Sequence, residues 1–560
     1  MKLKGIGIIA AIGVIVALLV VGGTLLTQNL GKTDKVISEE SAGKSLEKIV
    51  KNIEPQSVEP VKEAVEFDET SEETELPEID TFPLSVVGDG EVDIEILSSP
   101  EKAGEDLDGW LNQAAEAFNR EGIEVGGIKA SVSVRKFDSG TMVDYIASGK
   151  YVPDAISPSN IYWGKMLEAK GVKIEMITDR IAGNVPGIVL SKDKYQELMD
   201  KYGAINMKTI TQATADGELS MGYTNPLASS TGLNFLVQTL YTYDPKNILS
   251  DAAVEGFNTF QNNVPFVAFT TMQMRSAAES GSLDGFIMEY QSYAKDSSLQ
   301  REYQFTPFGV RHDNPVYALG DLSAEKKEVL DKFVEYCKND ENQALAEECG
   351  FNGLNDYKAE CPDFSGDDLL AAQKLWKSNK DGGTPVLAVF VTDISGSMEG
   401  EPITALKTSL INSMQYINKT NYVGLVSYND GVYINLPIEQ FDLNQQAYFK
   451  GSVNQLSAGG GTATFDGIAV GVDMLLKAME TYPDAKPMLF VLSDGDSNVG
   501  HSLNDVESIL ATYHIPVYTI GYNADIAALE KISSINEAAS INADTEDVIY
   551  KLKNLFNAQM

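Results

Sequence analysis

Histidine is scarce in this chain, with only His312, His501 and His514 in 560 residues. None stands at ligand spacing from another, which excludes zinc chemistry built on histidine pairs. Cations are also in deficit: 43 Lys plus Arg face 81 Asp plus Glu, a formal charge of -38. Nucleic acid is excluded as a partner, because phosphate neutralisation needs clustered cations. Cysteine is confined to Cys337, Cys349 and Cys361. Three disulfide pairings are open. The loop from Cys349 to Cys361 closes readily, and buried free thiols are the alternative. Long apolar runs are missing too, with one exception at the N-terminus.

That exception is "GIGIIAAIGVIVALLVVGGTLL", residues 5–26, which carries no charge. Its length suits one helix across the hydrocarbon. The following "GGTLLTQN" is a poor exit for signal cleavage. Lys2 and Lys4 favour a cytoplasmic tail over residues 1–4. The expectation is an uncleaved signal anchor in the cell membrane, single-pass, with the bulk of the chain extracytoplasmic; a cleaved signal peptide is the alternative. Residues 27–87 are acidic and poor in aromatics, as in "EFDETSEETELPEID". Such a stretch buries little apolar surface and reads as a stalk, with one helix over "SLEKIVKNI".

From residue 88 strands alternate with helices: "VDIEILSS", "DLDGWLNQAAEAFNREG", "KASVSVRKF", "TMVDYIASGK" and "PDAISPS". This predicts an α/β domain over 88–376. The order of strand, long helix, helix-Gly and Pro-Asp strand, with "GYTNPLASSTGLNFLVQTL" and "MRSAAESGSLDGFIMEYQSY" further on, resembles the type 2 periplasmic solute-binding proteins. The resemblance implies two lobes, with the chain crossing out near Pro186 and back near Tyr293. Strand ends and helix starts would then line a cleft through Ser98, Ser99, Thr141, Ser157, Ser230 and Thr231. "SSTG", residues 229–232, opens a helix whose free amides suit a small anionic solute; a simple helix cap at Ser230 or Thr231 is the bland alternative. "SPEK", Ser99 to Lys102, matches the Ser-x-x-Lys of penicillin-recognising enzymes. The other two elements of that set are missing, so it reads as a cap before Pro100.

Residues 377–385 form a linker ending in a Gly-Pro breaker, and 386–560 a further domain. "VLAVFVTD", residues 386–393, is a continuous apolar run, as expected of a strand buried on both faces. It ends in Asp393, with Ser395 and Ser397 at alternate positions around Gly396. "SAGGGTATFDGI", residues 457–468, delivers Thr462 before a helix, and "PMLFVLSDGDSN" ends a second apolar strand at Asp494. Loops at the carboxyl ends of such strands form binding crevices. Thr464 and Asp466 read as helix-start caps, with a role as outer groups of a site the alternative, and Asp496 as a solvated acid, with contact to a ligand the alternative. Val548, Leu552, Leu555 and Phe556 share one face of a last helix.

This three-part pattern resembles the von Willebrand factor type A (VWA) domain and its metal-ion-dependent adhesion site. The resemblance implies a doubly wound, Rossmann-like domain with a mainly parallel six-stranded sheet. It implies Mg²⁺ (or Mn²⁺) held by Ser395, Ser397 and Thr462 hydroxyls with Asp393 and Asp494. Hard cations of this kind take oxygen ligands and retain water, and two carboxylates leave residual attraction for a partner's Glu or Asp. The overall expectation is an α/β chain of anchor, stalk, two-lobed solute-binding-like domain and VWA domain. No nucleophile–base pair appears, so the function expected is adhesion or protein binding, not catalysis. The alternative is a solute sensor or accessory component of a transport or stress-resistance system, with input reaching the VWA domain through 377–385.

Overall fold

A computed structural model of the chain describes residues 36–65, 76–264, 266–268, 283–359, 361–380, 384–494, 497–522, 540–543, and Leu552, Leu555 and Met560. The apolar segment 5–26 lies outside the described residues. Among those described, no helix is long and apolar enough to cross a membrane.

The C-terminal part is built on strand Val386–Asp393, which is buried along its whole length. It pairs in parallel with Tyr422–Tyr428 on one side and Lys486–Ser493 on the other, and Val517–Tyr522 and Ser540–Ala543 follow in parallel. The sheet is mixed: it is mainly parallel, as expected, with one antiparallel pairing. Strand Val432–Gln440 runs antiparallel to Tyr422–Tyr428. The connection between them is the tight turn Asn429–Gly431, closed by Asn429 N–H donating to Gly431 O at 2.9 Å. A turn this short permits only an antiparallel partner, since a parallel one needs a crossover.

The sheet also has a seventh strand that the sequence reading missed. Gln56–Ser57 adds in parallel to the outer edge of Val432–Gln440. It follows helix Glu39–Ile53, in which Ala42, Leu46 and Ile49 are buried. Leu46 and Ile49 share one apolar cluster with Leu387, Val389, Ile468 and Leu510. The helix packs on helices Thr464–Thr481 and Leu503–Tyr513. Ile37 N–H donates to Thr512 Oγ1 at 3.2 Å, and Tyr513 OH to Glu39 O at 3.2 Å. The chain then crosses helix Leu443–Gln455 at Gly451, where a Cβ would lie 2.0 Å from Val61 O. Residues 36–65 are therefore part of the VWA body, not a stalk. Acidity misled the reading, because three apolar residues at helical spacing suffice once a neighbouring surface accepts them.

The stalk assignment fails at its other end as well. Leu76 is buried in the core of the middle domain, and Tyr145 OH donates to Pro77 O at 2.7 Å. Leu84–Val86 pairs with Ile128–Lys136. The middle domain is thus inserted between two segments of the VWA body. Its first sheet runs in the order Leu84–Val86, Ile128–Lys136, Val92–Ser98, Ala155–Ser157, Val316–Leu319, Ile174–Thr178. Its second runs Phe266–Ala268, Met221–Thr224, Gly285–Glu289, Pro186–Ser191, Tyr303–Pro307. The outward crossing falls just before Pro186, as expected. The return comes after Pro307, later than the expected Tyr293, because Tyr303–Pro307 still pairs with Pro186–Ser191 in the second sheet. Helix Gly366–Asn379 closes the domain and packs on helices of both lobes, Tyr162–Ala169 and Ser230–Tyr243.

Candidate functional site

Three loops meet at the carboxyl edge of the VWA sheet. In the first, Asp393 is fully buried at its strand end. Its Oδ1 accepts from Ser395 N–H at 2.8 Å, and its Oδ2 from Ser493 Oγ at 2.6 Å and Tyr428 OH at 3.3 Å. Ser395 Oγ lies 3.0 Å from Ser397 Oγ, which donates to Asp494 Oδ1 at 2.9 Å. The two serines thus bridge the first loop to the third.

The second loop is clasped to the first by two backbone bonds. Gly396 N–H donates to Gly460 O at 2.9 Å, and Gly459 N–H to Ile394 O at 2.8 Å. Gly460 has φ +90°, which favours glycine, and a Cβ there would also lie 2.4 Å from Asp430 Oδ2 and displace that carboxylate. Thr462, 5% exposed, follows. Its N–H donates to Asn498 Oδ1 and its carbonyl accepts from Asn498 N–H, both at 2.9 Å. All three motif-bearing loops are therefore tied together.

Burial pushes the Asp393 carboxyl above the usual carboxylate range; the Ser493 and Ser395 donors oppose this, and the nearby Asp494 charge adds to it. Among the described residues, no cationic side chain pairs with either carboxylate. The donor set is all oxygen: two carboxylates and three hydroxyls. That chemistry fits a hard divalent cation and does not fit a softer metal.

Ser493, Tyr428 and Asn498 were not singled out from sequence. Tyr428 stands beside Asp393 because the two strands pair Asp393 with Tyr428. Such lateral register leaves no local pattern in the chain. The caps expected at Thr464 and Asp466 are not formed. Helix Thr464–Thr481 starts without a side-chain cap, and Asp466 Oδ1 instead accepts from His501 N–H at 2.8 Å and contacts His501 Nδ1 at 2.6 Å. Asp496, Val548 and Phe556 lie outside the described residues; Leu552 and Leu555 are buried in the apolar cluster of the VWA body.

A cleft of about 920 Å³ opens between the lobes of the middle domain. Of the six residues expected there, Ser99 and Ser230 line it. Thr231 is buried beside it, with Oγ1 donating to Glu289 Oε1 at 3.2 Å. Ser98 and Ser157 are fully buried at strand ends, and Thr141 is buried in the first turn of its helix. The cap of helix Ser230–Tyr243 is Ser229, which accepts from Gly232 N–H at 3.3 Å, not Ser230 or Thr231. Ser99 does not cap either: its Oγ donates to Glu101 Oε1 at 2.5 Å and accepts from the Lys102 ammonium. Ser159 Oγ also donates to Glu101, at 2.8 Å. Burial lowers the Lys102 pKa against the pull of Glu101 and Glu289. Burial would raise Glu101, but Lys102 and the two hydroxyls hold it below its usual range. Ser99 is therefore a link in a buried ion pair.

The expected anion finds little support in this lining. Seven acids, Glu101, Asp138 and Glu289 among them, face two lysines, Lys136 and Lys295. Behind Glu289 stands His312, fully buried on the return crossing, with Nδ1 2.8 Å from Glu289 Oε1. The expected Cys349–Cys361 pairing is absent, and all three cysteines are free. Cys349 packs in the core around Trp110, whereas Cys361 lies by Tyr162 and Gln238, so the two thiols face different cores.

Residues 388–558 match the von Willebrand factor type A domain, and 103–352 the bacterial extracellular solute-binding protein family. An uncharacterized Synechocystis protein, sll0103, is 25% identical over 185 residues, covering 31% of this chain and 42% of that protein. Inter-alpha-trypsin inhibitor heavy chain H1 of Sus scrofa is 28% identical over 169 residues, covering 28% of this chain and 18% of its own. This chain thus spans less than half the length of these curated relatives. A solved periplasmic thiamin binding protein is 12% identical with a TM-score of 0.38, covering 51% of this chain and 96% of its own. The chain thus joins a region that matches the bacterial extracellular solute-binding protein family to one that matches the von Willebrand factor type A domain.

Proposed function

We propose that this chain is an extracytoplasmic binding protein, anchored by residues 5–26, whose VWA loops hold Mg²⁺ or Mn²⁺ and use it to recognise an acidic residue of a partner protein. Ser395, Ser397 and Thr462 would hold the ion, with Asp393 and Asp494 direct or through water. The bound ion would supply a Lewis-acidic position for the partner's carboxylate. One observation carries this reading: Asp393, Ser395, Ser397 and Asp494 form one hydrogen-bonded run of oxygens across two loops, the loop bearing Thr462 is clasped to both, and no cationic side chain is paired with either carboxylate among the described residues. The chain's own residues set the geometry. Ser493 and Tyr428 orient Asp393, and Asn498 fixes the backbone at Thr462. The test is a cross-linking capture from the native envelope in Mg²⁺. Capture should vanish with EDTA and in Asp494→Asn; capture indifferent to both would refute the reading.

A second reading has its own support. The solute-binding domain is inserted in the VWA body, and helix Gly366–Asn379 touches both lobes before the chain enters Val386–Asp393, the strand that carries Asp393. Lys377 Nζ lies 4.6 Å over the Tyr416 ring, and Thr384 Oγ1 donates to Asn262 Oδ1 at 2.8 Å. In this reading a solute in the cleft controls the metal loops. It predicts that saturating the cleft changes the Mg²⁺ affinity of the full chain, and an unchanged affinity would refute it.

A further inference from the structure

The interlobe cleft carries information on the class of solute it takes. Its described lining is serine-rich and acidic, with seven acids against two lysines and no aromatic ring. Three of the seven acids are internally matched. Glu101 pairs with Lys102 at 3.4 Å, Lys295 pairs with Asp108, and Glu289 meets His312. Asp138 is different. It stands where strand Ile128–Lys136 leads into helix Ser139–Ser148, in the position of a helix N-cap, yet its carboxylate makes no cap bond. The groups facing it are Glu101, which repels it, and Lys136, which is exposed to solvent. Hydroxyls from both lobes line the same cleft: Ser99, Ser139 and Ser159 from the first, Ser229 and Ser230 from the second, each with acceptor lone pairs beyond its own protein bonds.

We infer that the cleft binds an aliphatic ammonium solute, a polyamine-like cation whose N–H groups donate to Asp138 and to the serine hydroxyls. This rests on reading the cleft as a solute site. The volume lies in the range of small-molecule pockets. Carboxylates and hydroxyls accept from a primary or secondary ammonium, and charge-assisted bonds of this kind are the strong ones. A quaternary ammonium, by contrast, is recognised by aromatic faces, and the described lining has none. An oxyanion would meet unpaired carboxylates at close range, which disfavours it strongly.

The test is calorimetric titration of the full chain in EDTA and 150 mM salt, roughly physiological ionic strength, with spermidine, choline and sulfate as probes. Spermidine should bind at one site, choline at least tenfold more weakly, and sulfate not at all. Asp138→Asn should weaken spermidine tenfold or more, and Asp138→Glu should retain most of it. Unchanged tryptophan fluorescence of each variant checks that the domain is folded. Sulfate binding in place of spermidine would overturn the inferred charge while leaving a solute site. Spermidine binding that ignores Asp138→Asn would mark diffuse attraction to an acidic protein and overturn the inference. No binding by any probe would overturn it and count against the solute site as well.

Discussion

Leu46→Ala isolates the claim that the N-terminal helix belongs to the VWA body. Leu46 is 3% exposed and lies in the cluster that includes Leu387, Val389 and Leu510. The change removes three carbon groups at about 0.8 kcal/mol each, and the unfilled space raises the total to about 3 kcal/mol. For a unit of roughly 200 residues, each kcal/mol lowers the melting temperature by about 2–4 °C, so a drop of about 6–12 °C is expected. The chain supplies its own reference probe. All three tryptophans, Trp110, Trp163 and Trp376, are buried in the solute-binding part or its closing helix. Calorimetry should therefore show a transition moved down by more than the tryptophan fluorescence midpoint, because Leu46 packs in the VWA cluster and the tryptophans do not. A shift of the calorimetric transition under about 1 °C would show that the helix is a loose appendage, and the integrated body would be refuted.

Two further perturbations test the two sites. Burial and the Glu101 charge raise the Asp138 pKa to about 6, against the pull of Lys136. A raised acid contributes its full stability below its unfolded value of about 3.9 and loses it as the pH rises through the folded value of about 6. Asp138→Asn should therefore stabilise the solute-free protein by up to about 3 kcal/mol above pH 6 and by little near pH 4. Denaturant melts at both pH values followed by tryptophan fluorescence check this, and equal effects at both would contradict it. Gly460→Ala meets both a positive φ and the Asp430 carboxylate. It should destabilise by about 1–3 kcal/mol and weaken Mg²⁺ binding at least tenfold, measured by thermal unfolding and titration. Wild-type affinity in this variant would show that the second loop does not shape the site.

The parts of the site legible in the chain are those whose residues are local. Asp393, Ser395 and Ser397 crowd one turn after an apolar run, and Thr462 and Asp494 stand beside a glycine run and at a strand end. Residues that act across strands were not legible. Ser493 and Tyr428 reach Asp393 only through strand register, and a register is a property of the assembled sheet. The helix at Glu39–Ile53 was visible as a helix, but its partner surface, Thr464–Thr481 and Leu503–Tyr513, lies more than four hundred residues along the chain. The acidic composition around it therefore read as solvated. In the middle domain, alternation revealed the α/β class and the family resemblance implied the two lobes, while the cleft's character depends on Glu101, Asp138 and Glu289 converging from separate strands and helices.

The central claim is that five oxygen-bearing side chains on three interlocked loops form one divalent-cation site. Its most direct test is calorimetric titration of the full chain with Mg²⁺ after EDTA treatment, beside Ser397→Ala and Asp494→Asn. One equivalent of Mg²⁺ should bind the wild type, with affinity falling tenfold or more in each variant. No Mg²⁺ or Mn²⁺ binding to the wild type, or binding indifferent to both substitutions, would contradict the account.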